Sequence, residues 1–359
     1  MTAQHRTDID GLRALAVLPI LLFHAGIPGF SGGYVGVDIF FVISGFLITA
    51  IIDREMAAKT FSYVNFYERR IRRIFPALAV VLAFCLLAAW FILLPSEIAD
   101  FAKSVIGTIL FASNIVFFRQ SGYFDRISEE KPLLHTRSLG IEEQFYIFFP
   151  IILFLIIRYA PKYRQHLVAL IAAASFGLCV HLTPTSPSAA FYLIPTRAWE
   201  LLAGSLLALG VVPVVRAGAV RSLLSGLGIA MIVAAVILFD GTTPFPGVAA
   251  LLPVAGTVLV IAYAPGTWTD RLLSLRPLVL VGLISYSLYL WHWPLIVFGR
   301  DLGWLDGSIG PAVAVVLVSL AMGALSSRFV EAPFRDRRRV CRPQVRWFPQ
   351  PLFGPNPRV

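Results

Sequence analysis

Residues 77–94 read ALAVVLAFCLLAAWFILL, 18 residues without one charged side chain. Wound as a helix, such a run rises about 27 Å, close to the roughly 30 Å hydrocarbon thickness of a bilayer. It is preceded by ERRIRRIFP (Glu68–Pro76), in which four arginines crowd the entrance. Related runs recur as IFFPIILFLII (Ile147–Ile157) and GIAMIVAAVILF (Gly228–Phe239). The whole chain follows suit. Of 359 residues, 58% are hydrophobic and 14% charged, and mean hydropathy is +0.79. Soluble domains are about half apolar and about a quarter charged. The chain therefore reads as an all-α, polytopic membrane protein.

Candidate spans are 10–27, 35–53, 74–94, 139–158, 167–182, 191–210, 222–239, 247–263, 277–299 and 309–330. Segment 101–118 is ambiguous, because it is shorter and carries Ser104, Thr108, Ser113 and Asn114. Loop charge decides its status, since short loops rich in Lys and Arg stay in the cytoplasm. The loop after the second span holds Arg54, Lys59, Arg69, Arg70, Arg72 and Arg73. Residues 158–165, 214–221 and 270–276 are basic as well, whereas GIPGFSGG, TPTSPSAA and DGTTPFPG are not. If 101–118 crossed, the later basic loops would all face outward; if it does not, all face inward. The expectation is about ten transmembrane helices, with 101–118 re-entrant or at the outer interface and both termini cytoplasmic, in a multi-pass protein of the cell (inner) membrane. Residues 1–335 form the membrane domain, and the Arg- and Pro-rich stretch 336–359 reads as a poorly ordered tail.

Composition also excludes. The net charge of +10 follows from basic cytoplasmic loops and implies no nucleic-acid partner. Cys85, Cys179 and Cys341 have neither metal nor disulfide spacing. No phosphate loop, dinucleotide fingerprint or zinc motif is present, so no metal is expected. HAGIPGF after the first apolar run is a poor cleavage site, so that run is a span and not a signal peptide.

Ionisable residues within spans are costly and default to function. In RALAVLPILLFH (Arg13–His24), ten apolar residues separate a fixed cation from a titratable base. Eleven positions make about three turns, so both project from one face some 16 Å apart. Arg13 falls near the cytoplasmic boundary, as a snorkelling or a functional residue, and His24 towards the outer side, where imidazole suits proton transfer. Asp38, in GGYVGVDIFFVISGFLIT, follows after a short loop. It reads either as a surface carboxylate or as a partner that orients His24. Arg69, Arg70, Arg72 and Arg73 read as an orientation signal or as a phosphate-binding surface for a cofactor. At the outer mouth, PLLHTRSLGIEEQFY gathers His135, Arg137, Glu142 and Glu143. Adjacent helical residues point about 100° apart, so one glutamate faces inward, while helix-dipole stabilisation accounts for the other. His292, between two tryptophans in ISYSLYLWHWP, reads as part of an interfacial belt. Glu331 in RFVEAPFR ends the last span, where it can pair with an arginine.

Taken in order over residues 7–335, these motifs resemble the acyltransferase-3 family of integral membrane O-acyltransferases. The resemblance implies transfer of an acyl group, usually acetyl, from cytoplasmic acyl-coenzyme A to hydroxyls of an extracytoplasmic glycan such as lipopolysaccharide O-antigen or peptidoglycan. It gives weight to Arg13, His24 and the Arg69–Arg73 cluster, and it makes Glu143 a catalytic candidate. On this view His24 is general base or acyl carrier, Asp38 or Glu143 orients it, and Arg13 with Arg69, Arg70, Arg72 and Arg73 holds the phosphates. The family pattern has tryptophan where this chain has Arg137, a change expected to alter acceptor choice or packing. Longer members of this subtype continue into an extracytoplasmic SGNH-type domain, which leaves room for a separate extracytoplasmic acyltransferase partner. The alternatives are a transporter or flippase for a lipid-linked sugar, which inverted half-repeats would mark and none is visible, and an inactive truncated acyltransferase.

Overall fold

The computed structural model describes residues 5–121 and 130–335. Among them every regular element is helical. In chain order the helices are α1 (Thr7–His24), α2 (Gly36–Ala57), α3 (Tyr63–Ile92), α4 (Pro95–Ile109), α5 (Ser113–Gln120), α6 (Thr136–Tyr159) and α7 (Arg164–Thr185). They continue with α8 (Pro187–Tyr192), α9 (Ile194–Ala208), α10 (Gly218–Leu238), α11 (Leu251–Tyr263), α12 (Trp268–Leu273), α13 (Arg276–Asp301) and α14 (Ile309–Ser326). A π-helical turn, Ser327–Glu331, leads into the short α15 (Ala332–Arg335).

Helices α1, α2, α3, α6, α7, α9, α10, α11, α13 and α14 coincide with the ten expected segments. Among the described residues seven of them, α2, α3, α6, α7, α10, α13 and α14, are long and apolar enough to cross a bilayer, and α11 is a shorter apolar helix. Helix α1 begins earlier than its apolar run, at Thr7. Asp8 and Asp10 lie in its first turn, where the dipole favours acids, and both are buried inside the bundle. The tail 336–359 lies outside the described residues.

Segment 101–118 is not one helix. Phe111 adopts a left-handed backbone with φ of 51°, and the chain turns between α4 and α5. Fifteen residues of α4 rise only about 22 Å. The polar residues that made this stretch ambiguous serve the turn. The Ser113 hydroxyl donates to the Thr136 carbonyl at 2.8 Å, and Thr108 and Thr136 hydroxyls meet at 2.9 Å. Gln144 of α6 donates to the Phe111 carbonyl at 2.9 Å and to Asn114 at 2.8 Å. A helical hairpin, pinned to α6 by hydrogen bonds, matches the re-entrant or interfacial expectation.

Tertiary bonds sort the loops to two ends. At one end Arg6 donates to the Ile261 carbonyl at 2.9 Å, Arg164 pairs with Asp53 at 2.9 Å and Gln165 reaches the Leu209 carbonyl at 2.7 Å. At the other, Ser31 donates to the Phe239 carbonyl at 2.7 Å and Arg300 to the His24 carbonyl at 2.8 Å. The basic loops share the first end, called here the basic end. Of the apolar windows of α2 and α13, 61% and 56% are buried, against 22% in α7 and 22% in α14. The former make the centre, and the latter turn apolar faces outward to where lipid would lie.

Glycines set the closest crossings. A Cβ on Gly45 would sit 1.8 Å from the Leu201 carbonyl oxygen, and one on Gly204 2.0 Å from that of Val42. Helices α2 and α9 therefore touch backbone to backbone, in the manner of small-residue crossings in membranes. Gly282 brings α13 equally close to Asp10 of α1.

Candidate functional site

Helix α1 carries both ends of the site. Its eleven-residue step from Arg13 to His24 places the two on one face, and each opens into its own cavity. The cavity near the basic end is lined by Arg13, Arg73, Ser44, Glu142, Ser285 and Tyr286. The opposite cavity is lined by His24, Tyr34, Asp38, His135, Arg137 and Arg197, with Trp293 and aromatic walls. Val37, Phe41, Ser138 and Tyr289 line both. In that common wall, the Tyr289 and Ser138 hydroxyls meet at 2.7 Å, and Tyr289 donates to the His135 carbonyl at 3.0 Å. The two cavities are stacked along α1 with one partition between them.

His24 is half-buried. Its Nδ1 lies 3.2 Å from Nε2 of His292 on α13, and His292 Nδ1 lies 2.6 Å from the Tyr289 carbonyl. The two imidazoles are nearly parallel, 19° apart with centroids at 5.3 Å, and the Trp293 ring meets His24 edge-on at 4.6 Å. Trp293 is itself anchored by donating to the Lys131 carbonyl at 2.8 Å. His135 adds a third imidazole, 5.7 Å from His292. Pro294 lies within the continuous helix α13 and leaves the Leu290 carbonyl without its usual helical donor.

Asp38 lies in the His24 cavity but turns to Arg197, not to His24. Arg197 Nη2 is 3.2 Å from Asp38 and 3.1 Å from Glu200. All three are buried, the two acids completely. No described carboxylate pairs with His24; the atom beside His24 Nδ1 is a ring nitrogen of His292, not a carboxylate of the Asp38 or Glu143 expected there. Glu143 is buried away from both cavities, whereas Glu142 lines the one near the basic end and accepts from Ser44 at 2.5 Å and from Tyr146.

The arginine cluster divides, because consecutive positions of α3 point in different directions. Arg73 joins Arg13 in the cavity near the basic end. Arg69 pairs with Glu55 at 2.9 Å, Arg72 with Glu68 at 2.9 Å, and Arg70 lies over the Tyr146 ring at 4.3 Å. Arg13 also meets Asp10 at 3.3 Å. Arg137 packs over Phe191 at 4.4 Å and Tyr192 at 5.5 Å, so the charge is accommodated by cation–π contact. Glu331 pairs with Arg335 at 3.3 Å and accepts from Ser287 at 3.1 Å. Among the described residues no group of three or more His, Cys, Asp or Glu is placed to hold a metal.

Arg197 and Glu200 escaped the sequence reading. Their signal was available: two opposite charges three positions apart within the apolar segment 191–210. His292 was visible but passed as belt, since only the register of α13 against α1 shows that it meets His24.

The acyltransferase domain model matches residues 6–327, nearly the whole described bundle. This chain belongs to the acyltransferase-3 family. It is 34% identical over 351 residues to O-acetyltransferase OatA of Staphylococcus aureus (strain NCTC 8325 / PS 47), covering 92% of this chain and 57% of that relative. It is 31% identical over 345 residues to peptidoglycan O-acetyltransferase OatA of Listeria monocytogenes serovar 1/2a (strain ATCC BAA-679 / EGD-e), covering 91% and 55%. This acyltransferase-3 chain thus matches a little over half the length of these relatives. No solved structure matches it.

Proposed function

We propose that this acyltransferase-3 chain is a membrane O-acetyltransferase that moves an acetyl group from cytoplasmic acetyl-coenzyme A to a glycan hydroxyl on the far side of the cell membrane. The observation that carries the reading is the pair of stacked cavities: Arg13 and Arg73 in one, His24 in the other, one partition between. The basic end faces the cytoplasm, with both termini, because short basic loops are retained there. Arg13 and Arg73 hold donor phosphates, with Arg69, Arg70 and Arg72 as a charged approach, since guanidinium suits phosphate oxygens. The acyl thioester extends past Ser138 and Tyr289 towards His24.

At His24 the unengaged Nε2 takes the proton of the acceptor hydroxyl as its oxygen attacks the thioester carbonyl. A C–O bond forms, the C–S bond breaks, and the proton passes to the departing thiolate. General-base help of this kind is worth about 10²–10⁴-fold. A route through a transient acyl-imidazole would use the same nitrogen. Asp38, held by Arg197, and Arg137 provide polar groups for the acceptor. Peptidoglycan is the favoured acceptor class over O-antigen, because the Listeria relative carries that name. A separate extracytoplasmic acyltransferase partner would receive the acetyl group if the glycan does not reach the cavity itself.

The test is transfer from labelled acetyl-coenzyme A in proteoliposomes, with peptidoglycan fragments and then O-antigen offered outside. Wild-type protein transfers label and His24→Ala does not. Movement of unmodified glycan, with coenzyme A thioester left intact, would instead identify a flippase. Absence of both activities in correctly folded protein would identify an inactive form.

A further inference from the structure

We infer that His292 is the positioning residue that fixes the tautomer of His24, so that His24 carries its proton on Nδ1 and presents the lone pair of Nε2 to the cavity that it lines. The inference rests on the acyl-transfer reading for its consequence, but its evidence is the hydrogen-bond order itself. A carbonyl oxygen can only accept. The 2.6 Å approach of His292 Nδ1 to the Tyr289 carbonyl therefore assigns the His292 proton to Nδ1. In the neutral ring Nε2 is then an acceptor. The atom 3.2 Å from it, His24 Nδ1, must be the donor. His24 Nε2 is left without a proton, and no described residue hydrogen-bonds to it. The proton positions follow from the partners of each nitrogen, which is how a histidine tautomer is assigned.

The surroundings keep this order from slipping. His292 is buried, 1% exposed. Its ring is nearly parallel to that of His24, and the anchored Trp293 bears edge-on on His24 from another side. The register of α1 on α13 is fixed at both ends. Gly282 meets the backbone of Asp10 near the basic end, and Arg300 holds the His24 carbonyl at 2.8 Å at the other. A rotation of either helix would break one of these along with the imidazole pair.

The arrangement also accounts for the absence of any carboxylate against His24 among the described residues. An anion there would have to be desolvated in the bundle, at a cost of several kcal/mol. A neutral imidazole oriented by a backbone carbonyl selects the same tautomer without that charge. Asp38, the acid among the described lining of the His24 cavity, is engaged by Arg197.

The experiment is magic-angle-spinning NMR of the full chain in lipid, with ¹⁵N-labelled histidine and His24 signals assigned by their loss in His24→Gln. The expected result is a protonated Nδ1 and a lone-pair Nε2 at His24. A proton on Nε2, in either a neutral or a doubly protonated ring, would overturn the inference. Acetyl transfer gives the second arm. His292→Met removes the acceptor and is expected to lower turnover about 10–100-fold, by analogy with the loss of an orienting partner of a metal-bound histidine, with KM for acetyl-coenzyme A unchanged. His292→Gln offers an amide oxygen near the Nε2 position, and is expected to restore most of the turnover and the His24 lone-pair signal. Equal losses in the two variants with an unaltered His24 tautomer would also overturn it. If His292→Met does not fold, the wild-type spectrum decides alone. Full activity in His24→Ala beside a lone-pair Nε2 in the wild type would refute the acyl-transfer role of His24 while leaving the tautomer assignment standing.

Discussion

Replacing Arg197 by methionine should damage the fold more than any other single exchange in the His24 cavity. Arg197, 3% exposed, is the only described cation paired with Asp38 and Glu200, both 0% exposed, at 3.2 Å and 3.1 Å. Methionine keeps much of the side-chain length over Phe41 and Phe191, so packing is largely retained. What is lost is the compensation of two buried acids. Removing one partner of a buried ion pair costs about 3–5 kcal/mol, and protonation of the acids limits the loss to that order. By contrast, Glu200→Gln removes one anion and leaves Asp38 facing the guanidinium, so the buried charge stays compensated and the cost should stay below about 1 kcal/mol. The assay is thermal unfolding of the purified protein in detergent, followed by size-exclusion recovery after heating. At about 2 °C per kcal/mol for a chain of this size, Arg197→Met should unfold roughly 6–10 °C lower, and Glu200→Gln within about 2 °C of wild type. An Arg197→Met protein as stable as wild type would refute the reasoning, as would a Glu200→Gln protein equally destabilised.

Other outcomes follow from the same geometry. Gly45→Leu forces a side chain into the Leu201 carbonyl, 1.8 Å from where its Cβ must sit; overpacking of this kind costs at least about 1–3 kcal/mol, read as lost recovery after heating. Arg13→Gln should raise KM for acetyl-coenzyme A about tenfold or more, from one charge-assisted hydrogen bond of about 1.5–3 kcal/mol, with a smaller change in kcat; a pure kcat effect would place the donor phosphates elsewhere. In a background lacking other cysteines, Thr242→Cys should react with an impermeant maleimide on intact cells and Val214→Cys only after permeabilisation; the reverse pattern would invert the topology.

The helices were legible because a bilayer imposes one length and one chemistry on a spanning segment. The hairpin of α4 and α5 was legible only as an exception. Its polar residues and the charge of later loops argued against a crossing, but the break at Phe111 depends on a left-handed residue and on Gln144 from another helix. Side-chain partners were less accessible. Asp38 follows His24 closely in sequence, yet a short loop does not set the rotation of α2, and its Asp38 face meets α9. The choice between Glu142 and Glu143 turned on a rotation of about 100°. The four arginines of α3 formed one cluster in sequence, but helical periodicity sent only Arg73 to the cavity of Arg13. His292 required the register of two helices 268 positions apart in the chain.

The most direct test of the central claim is sided acetyl transfer. Proteoliposomes holding the full chain are loaded with labelled acetyl-coenzyme A at the basic end, and a peptidoglycan fragment is supplied at the other. Label should appear in ester linkage on the fragment for wild type, and fall by about 10²–10⁴-fold for His24→Ala at equal protein content. Undiminished ester formation by His24→Ala would contradict the claim that His24 carries the transfer.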